Sequence, residues 1–164
     1  MDKIGDNMFR RMRRFNQALS YEECKSILKT EKRATIAVNG DDGYPYALPV
    51  DFYYDEEDDK IYIHSAKAGY KLDCIERSDK VCFTTHNKGE QKEDWSYHVK
   101  SVIVFGRARV MEDTPLKRIK AKAFGVKYYP SDEEVEAELN KDYNRMNLIE
   151  ITIEHMSGKR VHER

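Results

Sequence analysis

Apolar residues occupy every second position at Tyr46, Leu48, Val50, Phe52 and Tyr54. A period of two belongs to a half-buried strand and not to a helix face. Further strand-like runs recur at residues 34–38, 60–64, 81–85 and 148–153, with a longer one at 101–111. The chain must therefore bury one face of several short strands. Turn chemistry separates the first three: Asn39-Gly40-Asp41-Asp42-Gly43, then the acidic residues 55–59. Pro45 and Pro49 suit an edge, a strand start or a bulge better than a central ladder position. A meander of three strands is the expectation for residues 34–64, and Gly106 marks a bulge within the strand at 101–111.

Helical signals punctuate this pattern. Ser20 followed by Glu23 is a capping box, with Tyr21, Cys24, Ile27 and Leu28 as the apolar stripe behind it. Ala68, Leu72 and Ile75 predict a second helix over 68–77. Thr114-Pro115 places a cap before a proline at the first helical position, and Ser131 with Glu134 repeats the capping box. The order is one helix, three strands, one helix, two strands, two helices and a final strand. Short antiparallel strands with few helices predict a mainly β (α+β) fold, a small barrel or sandwich with peripheral helices. A length of 164 residues suits one domain spanning 1–164, with a basic arm at 1–18 and a tail at 155–164.

Charge and cysteine usage narrow the class. Twenty-nine Lys and Arg against 30 Asp and Glu leave a net charge of -1, which argues against a dedicated nucleic-acid or anionic-membrane protein. Cys24, Cys74 and Cys82 are scattered and odd in number, as expected of free thiols in a reducing compartment. Residues 1–17 carry no apolar signal-peptide core, and the apolar run Val102-Ile103-Val104-Phe105 is far short of the roughly 20 residues of a membrane span. The expectation is a soluble, cytoplasmic protein.

The chemistry concentrates in His64-Ser65-Ala66-Lys67-Ala68-Gly69-Tyr70-Lys71-Leu72-Asp73. A strand ends, a small-residue turn follows, and a helix starts with lysines beside it. Free N–H groups and the dipole of a helix N-terminus favour an anion there. Ser65 can donate a hydrogen bond and Lys71 a full charge. The segment is neither a Walker loop nor a G-x-G-x-x-G turn, so from the pattern alone it reads equally as a phosphate seat or as an ordinary turn with solvated lysines. His64 reads either as a strand-end histidine satisfied by its neighbours or as a proton-bearing group at a site. His64, Cys74, Cys82, His86 and His98 share no metal-ligand spacing, so no metal is expected. The arm Arg10-Arg11-Met12-Arg13-Arg14 reads as solvated or partner-packing, with anion contact the next reading and nucleic acid the last. Lys117, Arg118, Lys120, Lys122 and Lys127 read as a solvated helix face.

Three stretches resemble one family. Gly43-Tyr44-Pro45-Tyr46-Ala47-Leu48-Pro49-Val50, Ile61-Tyr62-Ile63-His64-Ser65-Ala66 with Gly69-Tyr70-Lys71-Leu72, and Ser101-Val102-Ile103-Val104-Phe105-Gly106-Arg107-Ala108 are similar to the FMN-binding split-barrel proteins related to pyridoxamine 5′-phosphate oxidase. Within that family they resemble the 5-nitroimidazole resistance subgroup, over roughly residues 12–153. The resemblance implies a split β-barrel homodimer with FMN between the subunits. It implies backbone contacts to the flavin ring from Leu48, Pro49, Val50 and Asp51. It places Ile63, His64, Ser65 and Ala66 along the ribityl chain and Lys71 on the phosphate, with Lys67, Arg13 or Arg14 as further charge. It assigns the partner's contribution to the region from Trp95 to Ser101, and makes His64 the candidate catalytic side chain. The implied activity is a flavin-dependent oxidoreductase with a small-molecule electron donor and acceptor, a nitroaromatic or quinone-like molecule among them. A flavin- or haem-binding protein without turnover is the alternative on the same fold. The ending His155-Met156-Ser157-Gly158-Lys159-Arg160-Val161-His162 lacks the arginine-rich close of a true pyridoxamine phosphate oxidase.

Overall fold

The computed structural model describes residues 9–163, so residues 1–8 of the basic arm and Arg164 lie outside it. Four helices flank one antiparallel sheet. In chain order the elements are α1 (Tyr21–Thr30), β1 (Arg33–Asn39), β2 (Pro45–Asp51), β3 (Tyr53–Asp55), β4 (Lys60–Ala66), α2 (Tyr70–Arg77), β5 (Lys80–His86), β6 (Glu90–Gln91), β7 (Tyr97–Val110), α3 (Pro115–Val126), α4 (Asp132–Asp142) and β8 (Met146–Glu163). The sheet runs β2-β1-β5-β7-β8-β4-β3, with β6 paired to β7.

That order corrects the meander. The alternating run at 46–54 breaks at Phe52, so β2 pairs with β1 at one end of the sheet and β3 pairs with β4 at the other. Phe52 alone separates β2 from β3, and consecutive Cα atoms are about 3.8 Å apart. The two ends of the path are thus tethered within a few ångströms, which requires the sheet to curl on itself. The result is a split β-barrel. Its interior holds one continuous cluster that includes Leu28, Ile36, Phe52, Ile61, Ile63, Phe83 and Val104. The break is held from outside the sheet. The Phe52 N–H donates to the Tyr128 hydroxyl at 2.8 Å, and that hydroxyl lies 2.7 Å from the carbonyls of Lys32 and Phe52, to one of which it donates.

The strand expected at residues 148–153 continues to Glu163, pairing with β7 from Ile149 to Glu163. Residues 155–163 are therefore sheet. Gly158 permits this: a Cβ there would stand 2.4 Å from Cys24 Sγ and 2.9 Å from Leu19 Cδ1, where α1 packs on the strand. The β7–β8 register shifts between Phe105 and Gly106, and a Cβ on Gly106 would meet the Thr152 carbonyl at 2.4 Å. The bulge expected at Gly106 is present.

The capping box of α1 is reciprocal: Glu23 N donates to Ser20 Oγ and Ser20 N to the Glu23 carboxylate. Pro115 opens α3 as expected, but the Thr114 side chain makes no capping bond. The basic face expected on α3 is also corrected. Lys120 is buried between Asp55 and Asp58, 2.8 Å from each, and Lys117 is buried against the Met146 carbonyl and the Tyr143 ring. Lys127 inserts under the C-terminus of α1, donating to the Leu28 and Glu31 carbonyls over the Phe52 ring. Lysines spaced along one helix look solvated in sequence, yet here three of them serve as internal cations for loop carboxylates and helix-end carbonyls. Among the described residues no helix is long and apolar enough to cross a membrane.

Candidate functional site

β4 carries the site residues because both its faces are occupied. Ile61 and Ile63 enter the barrel core, while Tyr62 packs with Met111 and Leu148 on the opposite face. The strand then runs out of cover. His64 and Ala66 emerge exposed, Ser65 stays buried, and Gly69 turns the chain with φ 145°, a value that favours glycine. No side chain caps α2, whose first turn starts directly from Gly69. The first N–H groups of α2 thus lack capping partners, as an anion seat requires.

A groove of about 470 Å³ lies against this junction, within the range of about 300–1,000 Å³ of small-molecule sites. Pro49, Val50 and Asp51 of β2 form one wall, and His64, Ser65 and Ala66 of β4 another, with Lys71 at the α2 end. β2 ends the sheet path, so among the described residues its outer edge has no strand partner. Pro45 and Pro49 sit where prolines suit a sheet, at the start and on the edge of a regular strand: Pro49 keeps its register opposite Thr35. Free backbone groups there arise from position, not from distortion.

The electrostatics of the groove are uneven. Lys71 is half-buried and forms no ion pair among the described residues, and burial alone pushes its ammonium below the ordinary lysine value. A desolvated cation without a carboxylate is costly unless an anion arrives. The Ser65 hydroxyl likewise has no hydrogen-bond partner within the described chain. Asp51 is already engaged by Arg33, Nη1 to Oδ1 at 2.7 Å. Partial desolvation of the ring holds the His64 imidazole below its usual value, Asp51 pulls it up, and Lys71 pushes it down. The ring meets Phe124 of α3 edge-on, with centroids 5.2 Å apart.

Several expected residues gather here and others do not. Pro49, Val50, Asp51, His64, Ser65, Ala66 and Lys71 line the groove. Leu48 and Ile63 turn to the core instead. Lys67 is exposed outside the lining, and Arg13 and Arg14 line a separate shallow cavity beside Asn16. Trp95 and Ser101 do not line the groove of their own chain. Trp95 is 79% exposed at φ 66°, on the loop before β7. Sequence reasoning missed Arg33 and Tyr70. Tyr70 stacks at a tilt on Tyr46 and accepts the Asp41 N–H at 2.6 Å, tying the start of α2 to the β1–β2 turn. The only sequence signal for it was an aromatic directly after a glycine turn.

With this geometry in place, similarity to known proteins is informative. The sequence model of the family described as pyridoxamine 5′-phosphate oxidase matches residues 20–160. No curated protein sequence matches significantly. Among solved structures, a protein assigned to 5-nitroimidazole antibiotic resistance from Bacteroides thetaiotaomicron superposes with a TM-score of 0.74 at 21% identity, covering 89% of this chain and 87% of that one. The flavocytochrome Anf3 from Azotobacter vinelandii gives 0.74 at 22% identity, over 91% and 71% of the two chains. A FAD-binding protein from Mesorhizobium loti gives 0.65 at 20%, over 88% and 97%. At such identities these likenesses establish a shared fold.

Proposed function

The chain belongs to the pyridoxamine 5′-phosphate oxidase family, and on that premise we propose that it binds FMN in the groove between β2 and β4 and serves as a flavin-dependent oxidoreductase. The observation that carries this reading is the half-buried Lys71, without a carboxylate partner among the described residues, beside the uncapped N-terminus of α2. A phosphate monoester fits both features at once. Flavin binding by solved structures of the same fold, the Mesorhizobium loti protein among them, supports the same ligand class.

The residues divide the work by chemistry. Lys71, the α2 N–H groups and Ser65 would hold the phosphate. The unpaired edge of β2 at Pro49, Val50 and Asp51 would offer backbone groups to the polar rim of the ring. Flavin, when bound, supplies one- and two-electron transfer, and the protein supplies binding, orientation and electrostatics. His64, kept largely neutral near pH 7 by its surroundings, can hold a proton on one imidazole nitrogen and accept one on the other. The acceptors would be nitroaromatic or quinone-like molecules. In a homodimer, Trp95 and Ser101 would reach the groove of the partner, which accords with their absence from the groove of their own chain.

Replacing Lys71 by Ala tests the seat. A charge-assisted phosphate contact contributes about 1–3 kcal/mol, so FMN affinity should fall about 5- to 150-fold while riboflavin, which lacks the phosphate, binds as before. Equal FMN affinity in both proteins would remove Lys71 from the site.

A further inference from the structure

A second cavity, about 460 Å³, adjoins the first. It lies between β4 and the helices α3 and α4, and the two cavities share Asp51 and His64 in their linings. Its wall is aromatic. Phe124 and Tyr128 stack with centroids 5.0 Å apart and planes 17° from parallel, and His64 meets Phe124 edge-on. The wall is also fixed, since the Tyr128 hydroxyl is tied to the backbone at the β2–β3 break. Val135 and Leu139 of α4 form an apolar floor, and Gly125 lets the helices approach, since a Cβ there would meet Val135 Cγ1 at 2.7 Å.

The charged groups in this lining are all of one sign. Asp51, Glu138 and Asp142 stand in it, and no lysine or arginine does. Their cations lie outside the lining and are exposed: Arg33 is 2.7 Å from Asp51, Lys141 is 3.9 Å from Glu138 and 3.5 Å from Asp142, and Arg145 is 3.5 Å from Asp142. A cavity with a stacked aromatic wall, an apolar floor and an acidic rim suits a planar aromatic molecule carrying a protonated amine. An anion would lie against Glu138 and Asp142 with no cation in the lining to receive it.

We propose that the α3–α4 cavity is the subsite for the second substrate, a planar aromatic cation that stacks on Phe124 and Tyr128 and reaches the flavin groove past His64. The assignment of this slot to the reacting molecule rests on the flavin reading above; its ligand chemistry does not. His64 and Asp51 then border both ligands, and the largely neutral His64 ring does not repel a cation.

Two probes of equal size and opposite charge test this directly: 4-nitrobenzylamine and 4-nitrobenzoate. Each is titrated calorimetrically into the full-length protein, with FMN present and after its removal, and FMN is titrated separately. The amine should bind at least about tenfold more tightly than the carboxylate. Glu138→Gln, an isosteric change at a half-exposed position, should weaken the amine about three- to tenfold and leave FMN affinity unchanged. Phe124→Ala should weaken both probes. Lys71→Ala should weaken FMN and leave the amine unaffected. Amine preference in a protein that fails to bind FMN would uphold the slot and defeat the flavin reading. Normal FMN binding with no preference between the probes, or with the amine unaffected by Glu138→Gln, would overturn the slot alone.

Discussion

Lys127→Met isolates an effect that the structure makes unusually legible. The Lys127 ammonium sits under the C-terminus of α1, donating to the Leu28 and Glu31 carbonyls, with the Phe52 ring 4.0 Å from it. Carbonyls at a helix C-terminus welcome a cation, but the removal of water outweighs them. Burial brings the group from 10.5 down to about 8. Between those values the unfolded chain holds a proton that the folded chain has released, so stability contributed by this group rises with pH across the window from 8 to 10.5. The full difference would be about 3.4 kcal/mol at 1.36 kcal/mol per pH unit. The side chain is only partly buried, and screening by solvent reduces the expectation to about 1–2 kcal/mol. Other groups titrate there as well. Burial raises the Cys24 and Cys82 thiols, for example, which lowers stability as pH rises past 9. Those contributions are common to both proteins and cancel in the difference. Urea unfolding of wild type and Lys127→Met at pH 7.5 and pH 10 should show the wild type gaining about 1–2 kcal/mol on the variant. A difference that stays flat, or that favours the wild type at the lower pH, would show that the carbonyls win and the charge is welcome.

Two further substitutions probe how the barrel is closed. Tyr128→Phe deletes the acceptor of the Phe52 N–H at the junction of β2 and β3, and should cost about 1–3 kcal/mol in urea unfolding; a loss below about 0.5 kcal/mol would mean that the break is held by other contacts. Gly158→Ala forces a methyl to within 2.4 Å of Cys24 Sγ, and should cost about 1–3 kcal/mol, seen as a melting temperature lower by roughly 2–10 °C. An unchanged melting temperature would show that α1 can shift away from β8 without loss.

Local rules carried the sequence reading far. The spacing of Ser20 and Glu23 located α1 and its cap, and period-two runs located β1, β4 and β5, because each depends on residues a few positions apart. The junction at residues 64–73 was legible for the same reason: strand, turn glycine and helix start are contiguous. What escaped was set by distant partners. The break at Phe52 lies inside an unbroken alternation, and its cause is a tyrosine hydroxyl 76 residues downstream. Lys117, Lys120 and Lys127 looked solvated because their partners, such as Asp55 and the Glu31 carbonyl, lie far away in sequence. β8 outran its expected end because its ladder is dictated by β7 and its close approach by Gly158. In the site, Lys71 and His64 could be read from their place in a motif, whereas Arg33 enters only through its bond to Asp51 across the β1–β2 ladder.

The central claim is that the groove between β2 and β4 seats a flavin by its phosphate. Fluorescence-quenching titrations of the cofactor-free protein with FMN and with riboflavin test it most directly. Quenching by FMN should saturate at one equivalent per chain, with riboflavin about 5- to 150-fold weaker. Absence of quenching by FMN, or equal affinity for the two, would contradict it.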